Sequence, residues 1–173
     1  RPMDWDNWDL DAFHKDKPYE CDSYTAAKVV QSGDVRTQID VQIKFVDSTI
    51  DQSIFLYNDL PRIDFKNIVD WNEHNVLLKT EFPVKLNTNK ASYEIQYGNV
   101  ERETTNNNSW DVAKFETCGH KWADLSENGV GISLLNDCKY GYDIKDGDMR
   151  LTLIKSGIYP NPNADIGHHE FTY

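Results

Sequence analysis

Residues 35–46 carry the clearest pattern on the chain, an alternation of faces that runs from Val35 to Phe45. Val35, Thr37, Ile39, Val41, Ile43 and Phe45 share one face, and Arg36, Gln38, Asp40, Gln42 and Lys44 share the other. A period of two over that length predicts a half-buried β-strand with one wet face. A helix needs apolar residues at three- and four-residue steps, which are absent here. Shorter strand-like runs cover 53–57, 62–69, 76–86, 93–97, 131–135 and 149–154.

Turn-rich stretches separate these runs: Asn58-Asp59-Leu60-Pro61, Asn87-Thr88-Asn89-Lys90, 104–109, Glu127-Asn128-Gly129 and Lys145-Asp146-Gly147-Asp148. Short strands punctuated by Asn, Asp and Gly predict an antiparallel sandwich. Asp146-Gly147, between Tyr142 and Met149, reads as a hairpin turn. Two segments admit a weak helical reading: 24–31, which runs out at Gly33, and 109–115. Residues 1–34 read as an irregular lead-in. The whole of 1–173 reads as one β-sandwich domain or part of one.

With 173 residues the chain can bury roughly 70% of the surface its unfolded form exposes, so its core needs no staples. It carries 18 basic and 29 acidic residues, a formal net charge of −11. That field repels a phosphate backbone and an anionic bilayer, which argues against nucleic acid and membrane partners. Cys21, Cys118 and Cys138 are odd in number and widely spaced, with no C-x-x-C pair. They read as free, mostly buried thiols in a reducing, cytoplasmic setting. A membrane span and a signal peptide are not expected, and the Asn107-Asn108-Ser109 sequon would then stay unmodified. Both ends stop within aromatic, strand-like text, so the chain reads as a piece of a longer protein.

The candidate chemistry begins in 4–11, where acids alternate around Trp5 and Trp8. The segment lacks the mid-loop glycine and closing glutamate of a calcium loop. Aromatic faces stack on the C–H surfaces of sugars, and carboxylates accept hydroxyl hydrogen bonds. Trp5, Asp6, Trp8 and Asp9 are therefore candidate sugar contacts; the alternative is a surface strand whose rings pack on a neighbouring domain. His168 and His169 are adjacent and would face opposite sides of a strand. His14, His74 and His120 are scattered, so no zinc or other cofactor is expected on this chain. A catalytic carboxylate pair is defined by a separation of about 5–9 Å, which the sequence does not report.

Phe115-Glu116-Thr117-Cys118-Gly119-His120-Lys121-Trp122-Ala123-Asp124-Leu125-Ser126-Glu127 resembles a signature of the cytosolic-type α-mannosidases of glycoside hydrolase family 38. Leu134-Leu135-Asn136-Asp137-Cys138-Lys139-Tyr140-Gly141 follows at the family's spacing. Further blocks run in family order: Trp5-Asp6-Asn7-Trp8-Asp9, then Arg62-Ile63-Asp64-Phe65 with Val69-Asp70-Trp71, Leu77-Leu78-Lys79 and Phe82-Pro83. Asp165-Ile166-Gly167-His168 and Phe171-Thr172-Tyr173 complete the set.

The resemblance implies a large antiparallel β-sandwich of the supersandwich, galactose-mutarotase-like kind, from the C-terminal half of a longer enzyme. It implies that the zinc, the nucleophile and the general acid lie in an N-terminal catalytic domain outside this chain. The parent would be a retaining α-mannosidase that removes terminal α-mannose from glycans. This chain would supply scaffold and cleft rim, with no catalytic or metal-binding residue and no activity alone. Its partners would be that catalytic domain and mannose-containing glycans, with a homo-oligomer interface left open. In the parent, the implied substrate contacts are Trp5, Asp6, Trp8, Asp9, His120 and Lys155. Lys155 follows the 149–154 run, where the family often has a basic residue. His120 beside Trp122 and Asp124 also reads as a structural hydrogen-bond cluster, and Cys118 and Cys138 as buried fillers. The alternative function is a stand-alone carbohydrate-binding module.

Overall fold

The computed structural model describes residues 4–173. In chain order its strands are β1 (Tyr24–Ser32), β2 (Arg36–Phe45), β3 (Ser48–Tyr57), β4 (Ile63–Trp71), β5 (Val76–Pro83), β6 (Lys90–Ile95) and β7 (Gly98–Glu103). Then come β8 (Thr117–Cys118), β9 (Trp122–Glu127), β10 (Val130–Leu135), β11 (Gly141–Lys145), β12 (Asp148–Ser156) and β13 (Gly167–Thr172). A 3-10 turn at Ala12–Lys15 and the five-residue helix α1 (Ser109–Ala113) are the helical elements among the described residues. The chain divides into two compact units, one running to Val76 and resuming at Ser156–Tyr173, the other Leu77–Lys155.

The first unit is a five-stranded sheet in the order β1-β2-β3-β4-β13, antiparallel at each step. The alternation of 35–46 becomes β2. Its polar face is wired across the sheet: Asp40 accepts from Gln38 at 2.8 Å and Ser53 at 2.7 Å, and Gln42 donates to Asp51 at 2.7 Å. On the other face Ile43, Ile50, Val69, Trp71 and Phe171 are buried. Phe45 stacks flat on Trp71, 5.9 Å between centroids. The Trp71 indole donates to Ser156 Oγ at 3.1 Å, so the one polar atom of that ring is satisfied inside the core.

Residues 24–31, read from sequence as a weak helix within an irregular lead-in, lie instead in strand β1. All nine residues are exposed, so no burial period marks them as a strand. Pairing along β2, from Tyr24↔Ile43 to Ser32↔Thr37, supplies backbone partners that an isolated turn-length helix would lack.

The second unit holds two four-stranded sheets, β10-β9-β6-β7 and β5-β12-β11-β8. Ala91, Tyr93, Ala123, Leu125, Tyr142, Ile144, Met149 and Leu151 are buried in it. The predicted Asp146-Gly147 hairpin joins β11 to β12, with φ of 53° and 88°. Asn128-Gly129 joins β9 to β10 with φ of 48° and 83°. Both central residues of a type I′ turn need positive φ, which is why these dipeptides occupy them. Sequence patterning missed β7, β8 and β9: β7 is mostly polar, β8 has two residues, and β9 buries only Ala123 and Leu125, too few positions to show a period.

Helix α1 covers part of the 109–115 reading; Asn108 caps it by accepting from Asp111 N at 3.0 Å. Buried Lys145 points its ammonium at the carbonyls of Glu103 (3.1 Å), Thr105 (3.2 Å) and Asp111 (3.3 Å). This holds the whole 103–111 excursion against β11.

The cysteines are free, but the expectation of burial is corrected: Cys118 and Cys138 are exposed and Cys21 is half-buried. Cys118 lies on β8, a two-residue strand at a sheet edge. Cys138 lies in the loop between β10 and β11. Neither position is covered enough to act as a core filler.

Candidate functional site

Residues 5–9 form a tight turn rather than a strand. Trp5 adopts φ 56°, and its carbonyl accepts from Trp8 N at 3.1 Å and Asp9 N at 3.0 Å. The reversal brings Trp5 and Trp8 together, stacked at 5.7 Å with 26° between planes. Asp6, between them in sequence, turns inward and is 5% exposed. Its Oδ2 accepts from Ile158 N at 2.9 Å and its Oδ1 from Tyr159 N at 2.8 Å. Asn7 N donates to Tyr159 O at 3.2 Å, which adds a further bond to the same loop.

This docking leaves no room for a side chain at residue 157. A Cβ on Gly157 would lie 2.1 Å from Asn7 Oδ1 and 2.9 Å from Asp6 O. Tyr159 then stands edge-on to Trp5, at 4.9 Å and 74°, and tilted against Trp8 at 6.3 Å. All three rings remain open to solvent: Trp5 51%, Trp8 64% and Tyr159 50%. A large exposed aromatic cluster on a buttressed loop is suited to an apolar or sugar-like partner.

The structure thus brings Trp5 and Trp8 together and separates the roles of the two acids. The Asp6 carboxylate is committed to backbone amides, while Asp9 is exposed and accepts from Leu10 N at 2.9 Å. Tyr159, which patterning did not single out, completes the cluster. The only sequence signal was its place beside Pro160 in a Gly/Pro loop.

His120 and Lys155 belong to the second unit. Lys155 is half-buried near the end of β12. His120 donates its amide to Glu94 O at 3.0 Å, and its carbonyl accepts from Asn136 Nδ2 at 3.1 Å and Tyr142 OH at 3.2 Å. Its ring meets Tyr140 edge-on at 5.9 Å. The expected grouping with Asp124 is corrected: that carboxylate accepts from Ser126 and Ser133, each at 2.6 Å. Asn136, from the second family-like block, is the organising residue, since its Oδ1 also accepts from Lys139 N at 2.5 Å. Burial pushes the Tyr142 phenol well above its ordinary range and the Tyr93 phenol up to about 12.

Glu116, in the first family-like block, is bound to Lys79 Nζ at 2.5 Å and Thr152 Oγ1 at 2.5 Å. It reaches them past Gly141, where a Cβ would come within 2.6 Å of Glu116 Oε1. His168 and His169 take separate partners. His168 Nδ1 is 2.9 Å from Asp70 and its Nε2 3.3 Å from Glu170, while His169 Nε2 is 2.8 Å from Asp165 O. Among the described residues, no group of three or more His, Cys, Asp or Glu is placed to hold a metal ion.

Antiparallel sheets with almost no helix define the class, an all-β domain. Residues 1–163 match the family model described as "Glycosyl hydrolases family 38 C-terminal domain", and the chain belongs to that family. It is 40% identical over 174 residues to Alpha-mannosidase G of Dictyostelium discoideum, a match covering 98% of this chain and 16% of that protein. It is 39% identical over 175 residues to human Alpha-mannosidase 2C1, covering 99% of this chain and 17% of that protein. The chain therefore spans about a sixth of the length of these relatives. In fold it resembles the crystal structure of an alpha-mannosidase from Enterococcus faecalis, with a TM-score of 0.76 at 12% identity over 87% of this chain and 22% of that one.

Proposed function

We propose that this chain is the C-terminal β-portion of a zinc-dependent, retaining α-mannosidase that removes terminal α-mannose from glycans. The observation that supports this is family membership over 1–163, together with whole α-mannosidases as relatives. A stand-alone binding module is not favoured, because each such relative carries this region as one part of a longer chain.

The family chemistry needs a zinc ion and a pair of carboxylates about 5 Å apart. The described residues do not fit a zinc site, since no three candidate ligands converge. No catalytic step is therefore assigned to this chain. Zinc, nucleophile and general acid belong to an N-terminal catalytic domain, the partner against which this chain acts as scaffold and rim. Trp5 and Trp8 offer ring faces to a sugar, Asp9 offers an exposed acceptor, and His120 and Lys155 are the remaining candidate contacts. A cytoplasmic location is consistent with three unpaired thiols.

The 173-residue chain is expected to release no aryl group from an aryl α-mannoside with added zinc, while the full-length protein does so. Turnover by the isolated chain above the blank would mean that the active site lies within it. In the full-length protein, Trp8→Ala and Lys155→Ala are expected to lower kcat/KM at unchanged melting temperature.

A further inference from the structure

Trp5 and Trp8 share their surface with the 157–159 loop, which Asp6 reaches across 152 positions of sequence. Three observations concern those residues. Tyr159 is half-exposed and lies edge-on to Trp5 at 4.9 Å, so the rings present one continuous surface. Both Asp6 carboxylate oxygens are spent on the amides of Ile158 and Tyr159, at 2.9 and 2.8 Å. Gly157 is the close-approach point: a Cβ there would meet Asn7 and the Asp6 backbone.

We infer that Tyr159 is a third carbohydrate-contacting ring and that Asp6 is its positioning residue, together presenting a pyranose of a mannose-containing glycan to the Trp5–Trp8 pair. The inference rests on the proposed α-mannosidase function and extends it to the loop that follows β12. Asp6 does not touch the sugar. A buried carboxylate accepting two backbone amides is a strong, directional restraint. It selects one conformation of 157–159 and so keeps the third ring in place before substrate arrives, which lowers the ordering cost of binding. The rings contribute faces and edges, and the tyrosine hydroxyl is not required. The same three rings with nothing behind them would be an adaptable patch. With Asp6 behind them they form a preset surface.

The test uses the full-length protein with an aryl α-mannoside and, separately, mannose titrated against tryptophan fluorescence. Tyr159→Ala is expected to raise KM roughly three- to tenfold with little change in kcat, the scale of one lost aromatic contact. Tyr159→Phe should stay within about twofold of wild type on the same scale. Asp6→Ala should raise KM as much as Tyr159→Ala, and Asp6→Asn, with one acceptor in place of two, should fall between. Mannose-dependent quenching should be lost in Tyr159→Ala and Asp6→Ala. Unchanged KM and quenching in Tyr159→Ala, with or without a lower melting temperature, would overturn the inference and leave the rings as packing groups. If the full-length protein cleaved no α-mannoside at all, the proposed function would fall. Quenching that disappears in Tyr159→Ala would still establish the ring surface, and quenching absent from wild type would remove it.

Discussion

His168 shows how much a single exposed side chain depends on its strand neighbours. Its ring is set between Asp70, across the β13–β4 pair, and Glu170, two residues along β13. The hydrogen bond to Asp70 and then that to Glu170 raise its pKa above the ordinary 6.5. A histidine whose folded pKa is raised adds stability that is fully present below its unfolded pKa. That increment is lost as pH rises through the folded value. The effect is small because the site is open to solvent. Urea midpoints from pH 6 to 8 are expected to fall more in wild type than in His168→Gln, so that a wild-type advantage present below about 6.5 closes as pH rises above it. A wild-type advantage that is absent at pH 6, or that grows towards pH 8, would mean that the acids do not hold the proton. The adjacency of the two histidines already implied separate faces, but Asp70 as the partner follows only from the register of β13 on β4.

At the scale of elements, the hairpins were legible and the plain strands less so. Asp146-Gly147 and Asn128-Gly129 announce themselves because few other residue pairs adopt positive φ twice in succession. Gly147 carries a second constraint absent from the turn signature. Its carbonyl accepts from Val84 N at 2.7 Å, and a Cβ on it would lie 2.7 Å from Val84 O. Gly147→Ala combines backbone strain with a clash against main chain. It should destabilise the fold by about 1–3 kcal/mol in urea unfolding. Gly129→Ala has nothing within 4 Å of its new methyl and pays the φ penalty alone, so it should cost less. Equal losses would show that the Val84 contact relaxes freely. Strand β1 escaped detection for the opposite reason: with every residue exposed, its sequence has no period to display.

Over the whole molecule the dominant long-range feature is the net charge of −11. Local pairing offsets part of it, as where Arg150 meets Glu81, Asp148 and Asp143 within 3.4 Å. The rest is self-repulsion, which salt screens over a Debye length of about 30 Å at 10 mM and about 8 Å at 150 mM. The melting temperature of the 173-residue chain is therefore expected to rise by a few degrees, on the order of 2–5 °C, between those salt concentrations. A fall would mean that attractive pairs such as the Arg150 network outweigh the net repulsion.

What the sequence determined by itself was local or compositional. The period of two in 35–46 dictated β2 and its faces, and the Asx-Gly pairs dictated two reversals. The ordered blocks from Trp5 to Tyr173 carried the family resemblance. These signals are readable because each depends on residues close together in the chain, where backbone geometry and side-chain period are coupled directly. Tertiary structure decided which distant groups meet. Asp6 reaches Ile158 across 152 positions, Lys145 collects three carbonyls from 103–111, and Glu116 lies between Lys79 and Thr152. No periodicity encodes such contacts. Their polar atoms find partners only once the surrounding strands have paired and closed, and an acid that reads as a sugar ligand in the sequence can then become the restraint on a loop.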